Sequence, residues 1–181
     1  GQEAAFSRCK DEVITSFASE YLGLPVQDYR PVSLYLNGEY WGVYFIRDKI
    51  NEHYVAGHFG VEPDTVDLAH WSGEDSGKFM ALKLFAQRND LTKQENYDYV
   101  MSQIDVENYT DFMITQIWIS NRDPGNVKFF TAPGYPWTWI LFDTDLAFIR
   151  AGDNTVPMLM NNNLGYDITT RTFAVRLIRN P

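Results

Sequence analysis

Four polar side chains with the chemistry of a metal or phosphate site occur in two short runs. Asp123 and Asn126 lie in Asn121-Arg122-Asp123-Pro124-Gly125-Asn126, and Asp143 and Asp145 lie in Phe142-Asp143-Thr144-Asp145. Several carboxylates and an amide oxygen, with no His or Cys cluster beside them, suit a hard cation such as Mg²⁺. Two apolar segments, Val127–Phe130 and Trp137–Phe142, flank the turn Ala132-Pro133-Gly134-Tyr135-Pro136. If they pair as a hairpin, the first strand begins and the second ends at one edge. Asp123, Asn126, Asp143 and Asp145 are then gathered around one small volume.

The same residues have a plainer reading. Asn-Arg-Asp-Pro-Gly-Asn is a good turn sequence, in which Asp and Asn bond to nearby backbone. Asp143 and Asp145 could simply end a strand. The order of the parts separates the readings: helix, Asp, Asn, hairpin, Asp is also the order found in a protein-kinase active site.

The elements that must position these groups are legible at low detail. Asp105 caps a helix whose apolar face is Tyr109, Phe112, Met113, Gln116 and Ile117, and this helix delivers the chain to Asn121. Upstream, Val13, Ile14, Phe17, Ala18, Tyr21 and Leu22 recur at helical spacing, and Gly23 before Leu24-Pro25 stops the helix. Its acidic residues are read as solvated surface, since nothing distinguishes Glu12 from Glu20. The alternative is that one of them partners a phosphate-binding lysine.

Residues 32–46 read as a hairpin, because Asn37-Gly38 suits a tight type I′ turn. That register sets Leu34 opposite Trp41 and Val32 opposite Val43, and makes these aromatics core rather than a stacking platform. Asn51 caps a short helix ending at Gly60. It carries His53 and His58, five apart and not on one face, so surface or hydrogen-bonded histidine is preferred to metal ligation. His70 stands alone.

Gly73-Glu74-Asp75-Ser76-Gly77-Lys78 mimics a phosphate-binding loop but is one residue short, lacks the following Ser or Thr, and is acidic. It reads as a flexible acidic loop before a helix bearing Phe79, Leu82, Phe85 and Ala86. Thr92 and Glu95 form a capping box for a helix with Tyr97, Val100, Met101 and Ile104 on one side. Residues 151–170 are polar and look mobile, and residues 171–179 look helical.

Composition bounds the possibilities. A chain of 181 residues fits one domain with a substantial core. Net charge is −9 from 15 Lys and Arg against 24 Asp and Glu, which disfavours nucleic acid and anionic membrane surfaces. Cys9 is the only cysteine, so neither an internal disulfide nor a thiolate zinc site is available. No apolar run approaches the roughly 18 residues that span a bilayer.

Three stretches together resemble the CotH kinase family, kinase-like proteins of spore coats and of secreted or surface bacterial proteins. They are Leu34-Tyr35-Leu36-Asn37-Gly38-Glu39-Tyr40-Trp41-Gly42-Val43-Tyr44 with Arg47-Asp48-Lys49-Ile50-Asn51, then Asn121-Arg122-Asp123 with Asn126-Val127-Lys128-Phe129-Phe130, and Trp139 to Asp145. The resemblance covers most of residues 10–180. It implies an α+β protein-kinase-like fold, with a mostly helical large lobe and two β-hairpins.

It also implies transfer of the ATP γ-phosphate to a protein hydroxyl with Mg²⁺. Asp123 would be catalytic, orienting or accepting the hydroxyl proton. Asn126 and Asp143 would hold the metal, with Asp145 an outer ligand. The 32–46 hairpin would supply the fourth and fifth small-lobe strands, and Arg47-Asp48-Lys49 the hinge. Asp48 and Lys49 are then cofactor-binding positions, since adenine is usually held by hinge backbone. Lys128 could reach a phosphate, the alternative being a solvated lysine.

The resemblance has departures. Asn126 follows Asp123 by three residues where protein kinases use five, and Phe148 stands where they carry glycine. The first helix falls at the third-helix place of a small lobe, so the glycine-rich loop and its lysine strand are expected before Gly1. The chain is therefore expected to be a single domain over residues 1–181, truncated at both ends and inactive alone. Secretion or surface display in a bacterium is expected from the family.

Two further classes compete. One is a non-catalytic surface or structural module on a degenerate kinase-like fold. The other is a Mg²⁺-dependent hydrolase, which would need a water-activating base, and no His lies near the motif in sequence. Glycoside hydrolysis by two carboxylates would be judged from their separation.

Overall fold

The computed structural model describes residues 9–71, 73–121, 123, 125–150, 152, 154–160 and 169–177. Among them the chain is α+β, with seven helices and two small antiparallel sheets. In order these are α1 (Lys10–Leu22), β1 (Tyr29–Leu36), β2 (Glu39–Arg47), α2 (Glu52–Phe59), β3 (Asp67–His70), α3 (Gly77–Arg88) and α4 (Gln94–Gln103). There follow α5 (Val106–Trp118), β4 (Lys128–Ala132), β5 (Tyr135–Ile140), α6 (Thr155–Met160) and α7 (Thr169–Leu177).

The expected β4–β5 hairpin forms, with Lys128 opposite Ile140 and Phe129 opposite Trp139. A third strand, β3, pairs with β4 on its other side. At four residues, β3 is too short to show a period of its own. Phe79, Phe129, Trp137, Trp139 and Phe173 fill the core between this sheet and the helices, with Phe79 and Phe129 ring centroids 4.1 Å apart.

Asn108 locks α5 to β5. Its side chain donates to the Trp139 carbonyl at 3.0 Å and accepts from the Trp139 N–H at 2.6 Å. Asp105 caps α5 as expected, accepting from the Asn108 N–H. Asn51 caps α2, and left-handed glycines close both α1 and α2. The capping box at Thr92 does not form: Asp90 takes the Thr92 N–H and hydroxyl, and α4 starts at Gln94. A nearer acceptor won. Part of the stretch expected to be mobile forms α6, while residues 161–168 lie outside the described residues.

The β1–β2 hairpin departs most from expectation. Asn37 and Gly38 take the left-handed angles of the type I′ turn, with φ of 53° and 85°. The register then slips, so that Leu34 faces Gly42 and Val32 faces Tyr44. Gly42, at φ 115°, accommodates the extra residue of this bulge. Trp41, Tyr35 and Tyr40 are exposed rather than core. The alternation was read correctly as strand, but this two-stranded sheet has no apolar layer packed over these rings among the described residues.

In α1, only Ile14 and Ala18 of the expected apolar stripe are buried. Val13 and Tyr21 are 62% and 66% exposed, whereas Asp11, Glu12, Ile14, Thr15 and Ala18 are buried. The helix turns its first acidic turn inward because Arg47 waits there.

Candidate functional site

The loop after α5 is built from side-chain-to-backbone bonds. Asn121 Oδ1 accepts the Asp123 N–H at 3.0 Å, while its amide donates to the buried Gln116 Oε1 at 2.9 Å. Because Asn121 makes the turn, the Asp123 carboxylate is left for other work. The turn reading holds for Asn121, and the Asp123 carboxylate accepts instead from the Asn126 side chain.

Asn126 joins the two halves of the site. Its single amide nitrogen donates to Asp123 Oδ2 at 2.9 Å and to Asp143 Oδ2 at 2.7 Å. No described residue donates to its Oδ1. The two carboxylates are thus within the span of two hydrogen bonds, across a hairpin that separates them by 20 positions in sequence.

Asp143 follows β5 in the left-handed region at φ 54°, and Ser120 and Phe148 take φ 51° and 54°. Asp tolerates this conformation better than most residues, a branched or bulky one poorly. Three such residues border one loop pair, and strain of this kind concentrates at functional sites. The Phe148 N–H donates to the Ile119 carbonyl at 2.7 Å, tying the Asp143–Asp145 turn to the end of α5.

Asp143 is half-buried, and burial pushes its carboxyl above the usual range. The negative charges of Asp145, Asp11 and Asp123 push it further, with Arg47 acting in the opposite sense. This is a local excess of carboxylate that a hard divalent cation would relieve.

From residue 6 to residue 181 the sequence matches the family described as CotH kinase protein. The chain belongs to the CotH kinase family. No match is found among curated proteins. The family assignment covers the hairpin, the Asp123 loop and the Asp143 turn alike, which are the parts that meet in space.

In this CotH-family chain the sequence missed a whole layer of the site. Asp11 Oδ2 pairs with the Arg47 guanidinium at 2.9 Å, and Glu12 Oε1 pairs with the same group. Lys10 donates to the Asp145 carbonyl at 3.0 Å. Glu12, which the sequence left on the surface with Glu20, is 3% exposed, and its Oε2 has no hydrogen-bond partner among the described residues. Burial distinguishes it from Glu20. A signal was present, since Lys10-Asp11-Glu12 stands in the first turn of a helix whose apolar stripe is too weak to decide its buried face.

Lys128 is neither solvated nor extended toward the carboxylates. Nζ donates to the Ile50 carbonyl at 2.8 Å and lies 5.7 Å from the Phe142 ring centroid. Burial and then Lys49 lower its pKa, with Glu52 opposing. Lys128 therefore clasps the segment after β2 to the start of β4.

Asp48 and Lys49 lie in that segment and are exposed. The Asp48 N–H donates to the Asp28 carbonyl at 3.0 Å, and its carbonyl accepts from Gln27 Nε2 at 2.6 Å. Its backbone is already paired, whereas no described residue pairs with the backbone of Lys49. His70, expected to stand alone, is paired with Asp75 through its ring and its N–H. No helix among the described residues is long and apolar enough to cross a membrane.

Proposed function

We propose that this CotH-family protein is a phosphotransferase that passes the γ-phosphoryl group of ATP, taken up with Mg²⁺, to a hydroxyl of a protein acceptor. The observation that carries this reading is the Asn126 amide shared between Asp123 and Asp143. The residues fit the cation: Asp143 and Asp145 supply oxygens, and Asn126 holds its own Oδ1 toward no described donor. When bound, Mg²⁺ would neutralise phosphate charge and so favour transfer.

The chain's own residues do the positioning. Asp123 orients the acceptor hydroxyl and takes its proton, and Asn126 keeps that carboxylate in register with Asp143. Arg47 opposes the rise in the Asp143 pKa that burial and the neighbouring carboxylates cause. The adenine side of the nucleotide falls to Lys49 rather than Asp48, whose backbone groups are paired. Glu12 Oε2 is a buried acceptor for a cationic group of the site. Secretion or surface display is part of this proposal, as the sequence resemblance led us to expect.

A second reading, a non-catalytic binding module, is favoured by one surface. Phe17 lies 4.8 Å from Tyr21 and 5.7 Å from Trp118, and Trp118 lies 5.4 Å from Phe148, measured between ring centroids. All four rings are exposed. Exposed patches of this kind mark contact surfaces.

Calorimetric titration of ATP with Mg²⁺ decides between them. Binding that needs both Mg²⁺ and Asp143, tested with Asp143→Ala, supports the phosphotransferase. Absence of heat with correctly folded protein supports the module.

A further inference from the structure

Asp28, Asp48 and His58 each direct one ligand atom into a common space, with all three atoms within 4.8 Å of one another. His58 Nε2 is 3.7 Å from Asp28 Oδ2 and 3.6 Å from Asp48 Oδ2. These groups come from three elements: the residue before β1, the residue after β2, and the last turn of α2. Sequence spacing disfavoured a His53–His58 pair and could not reveal this one.

The arrangement is held from behind. The backbone bond from Asp48 to Asp28 and the Gln27 amide on the Asp48 carbonyl hold the two carboxylates side by side at the foot of the hairpin. Tyr54 packs on the His58 ring at a centroid distance of 4.3 Å, and its hydroxyl donates to the Val26 carbonyl, so the imidazole is fixed against the same linker. Among the described residues, His58 is the only basic side chain within ion-pair distance of either carboxylate. A divalent cation would balance both carboxylate charges.

We propose that Asp28, Asp48 and His58 form a second metal site, for a borderline divalent cation of the Zn²⁺ class. One imidazole nitrogen and two carboxylates form a donor set that zinc accepts, with water completing a tetrahedron. Mg²⁺ prefers all-oxygen surroundings, so the two sites differ in the ion they select. Metal–ligand distances of about 2.1 Å put the ligand atoms of a tetrahedral site roughly 3.4 Å apart. The two His58 separations are already close to that, and exposed carboxylates can rotate to close the rest. The bound ion would staple the hairpin foot to α2, immediately beside Arg47.

Titration of ZnCl₂ into the protein, followed by calorimetry, tests the site. One equivalent is expected to bind to the wild type and to Asp143→Asn with equal affinity. His58→Gln and Asp28→Asn are each expected to weaken it at least tenfold, with unchanged far-ultraviolet circular dichroism. Co²⁺ in place of Zn²⁺ should give the intense visible bands of a four-coordinate centre, absent in His58→Gln. Wild-type affinity in His58→Gln, or loss of Zn²⁺ in Asp143→Asn with His58 intact, would overturn the proposal. A wild type that takes up no Zn²⁺ would overturn it equally, and would leave the Mg²⁺·ATP reading to its own titration.

Discussion

Asp11 Oδ1 accepts both the backbone N–H and the hydroxyl of Thr144, at 2.7 and 2.8 Å, across 133 positions of sequence. One carboxylate oxygen in α1 thus anchors the residue that follows Asp143, while its other oxygen holds Arg47. The position of the Asp143–Asp145 turn is set by the first turn of the first helix.

Removing either end of this anchor should be measurable in urea unfolding. Thr144→Val deletes one charge-assisted hydrogen bond and should cost about 1.5–3 kcal/mol. Asp11→Ala also strips Arg47 of a buried partner and should cost about 3–5 kcal/mol. A loss below about 1 kcal/mol in Asp11→Ala would contradict the anchor.

Arg47→Met should destabilise the protein by about 3–5 kcal/mol, because it leaves Asp11 and Glu12 buried without their shared cation. It should also raise the Asp143 pKa further, since Arg47 opposes that rise. The pH at which Mg²⁺ binding is half-complete would then move upward, as read by titration at several pH values. Glu20→Ala is the control, expected to stay within about 0.5 kcal/mol of wild type.

Asp143 gives a pH dependence of definite sign. Its folded pKa lies above the ordinary aspartate value of 3.8, so the native state binds the proton more tightly than the unfolded chain. Its contribution to stability is therefore greatest below 3.8 and falls as pH rises through the folded value. Without Mg²⁺, Asp143→Asn should match or exceed the wild type in melting temperature at neutral pH and lose that advantage on acidification. Added Mg²⁺ should reverse the order at neutral pH, stabilising the wild type and not the variant. An advantage for Asp143→Asn that grows toward acid would count against this assignment of charge.

Lys128→Met should cost about 1 kcal/mol through the lost bond to the Ile50 carbonyl. If Lys128 is a clasp rather than a phosphate ligand, ATP affinity should fall less than in Asp143→Ala. Equal losses in the two variants would restore Lys128 to the phosphates.

How much of this was readable beforehand depends on range. Asp105, Asn51 and the Asn37-Gly38 turn act on neighbours a few residues away, and their signals survive in the bare sequence. The Asp123–Asn126–Asp143 meeting was legible because a hairpin converts strand order into proximity. Asp11 to Thr144, Arg47 to Glu12 and Lys128 to Ile50 depend on tertiary packing between distant elements, which no local spacing encodes. The partial misreading of α1 has the same origin: Ile14 and Ala18 are buried as expected, but Val13 and Tyr21 are displaced from the buried face by Asp11 and Glu12, which Arg47 and Thr144 hold inward. Trp41 was lost to a bulge, since alternation predicts faces only while the register holds.

That bulge has a consequence for handedness of address along β2. Side chains on a strand take alternate faces, so one added residue swaps the face of everything beyond it. In the observed register Arg47 stands opposite Tyr29, whose hydroxyl is 3.0 Å from Ser16 Oγ on α1, so both point to that helix. With the same residues but no slip at Trp41-Gly42, Ile46 would take the place opposite Tyr29 and Arg47 would turn its back on Asp11 and Glu12. The slipped register therefore works as a parity bit: a bulge near the tip of the hairpin, far from the carboxylates, decides whether Arg47 faces Asp11 and Glu12.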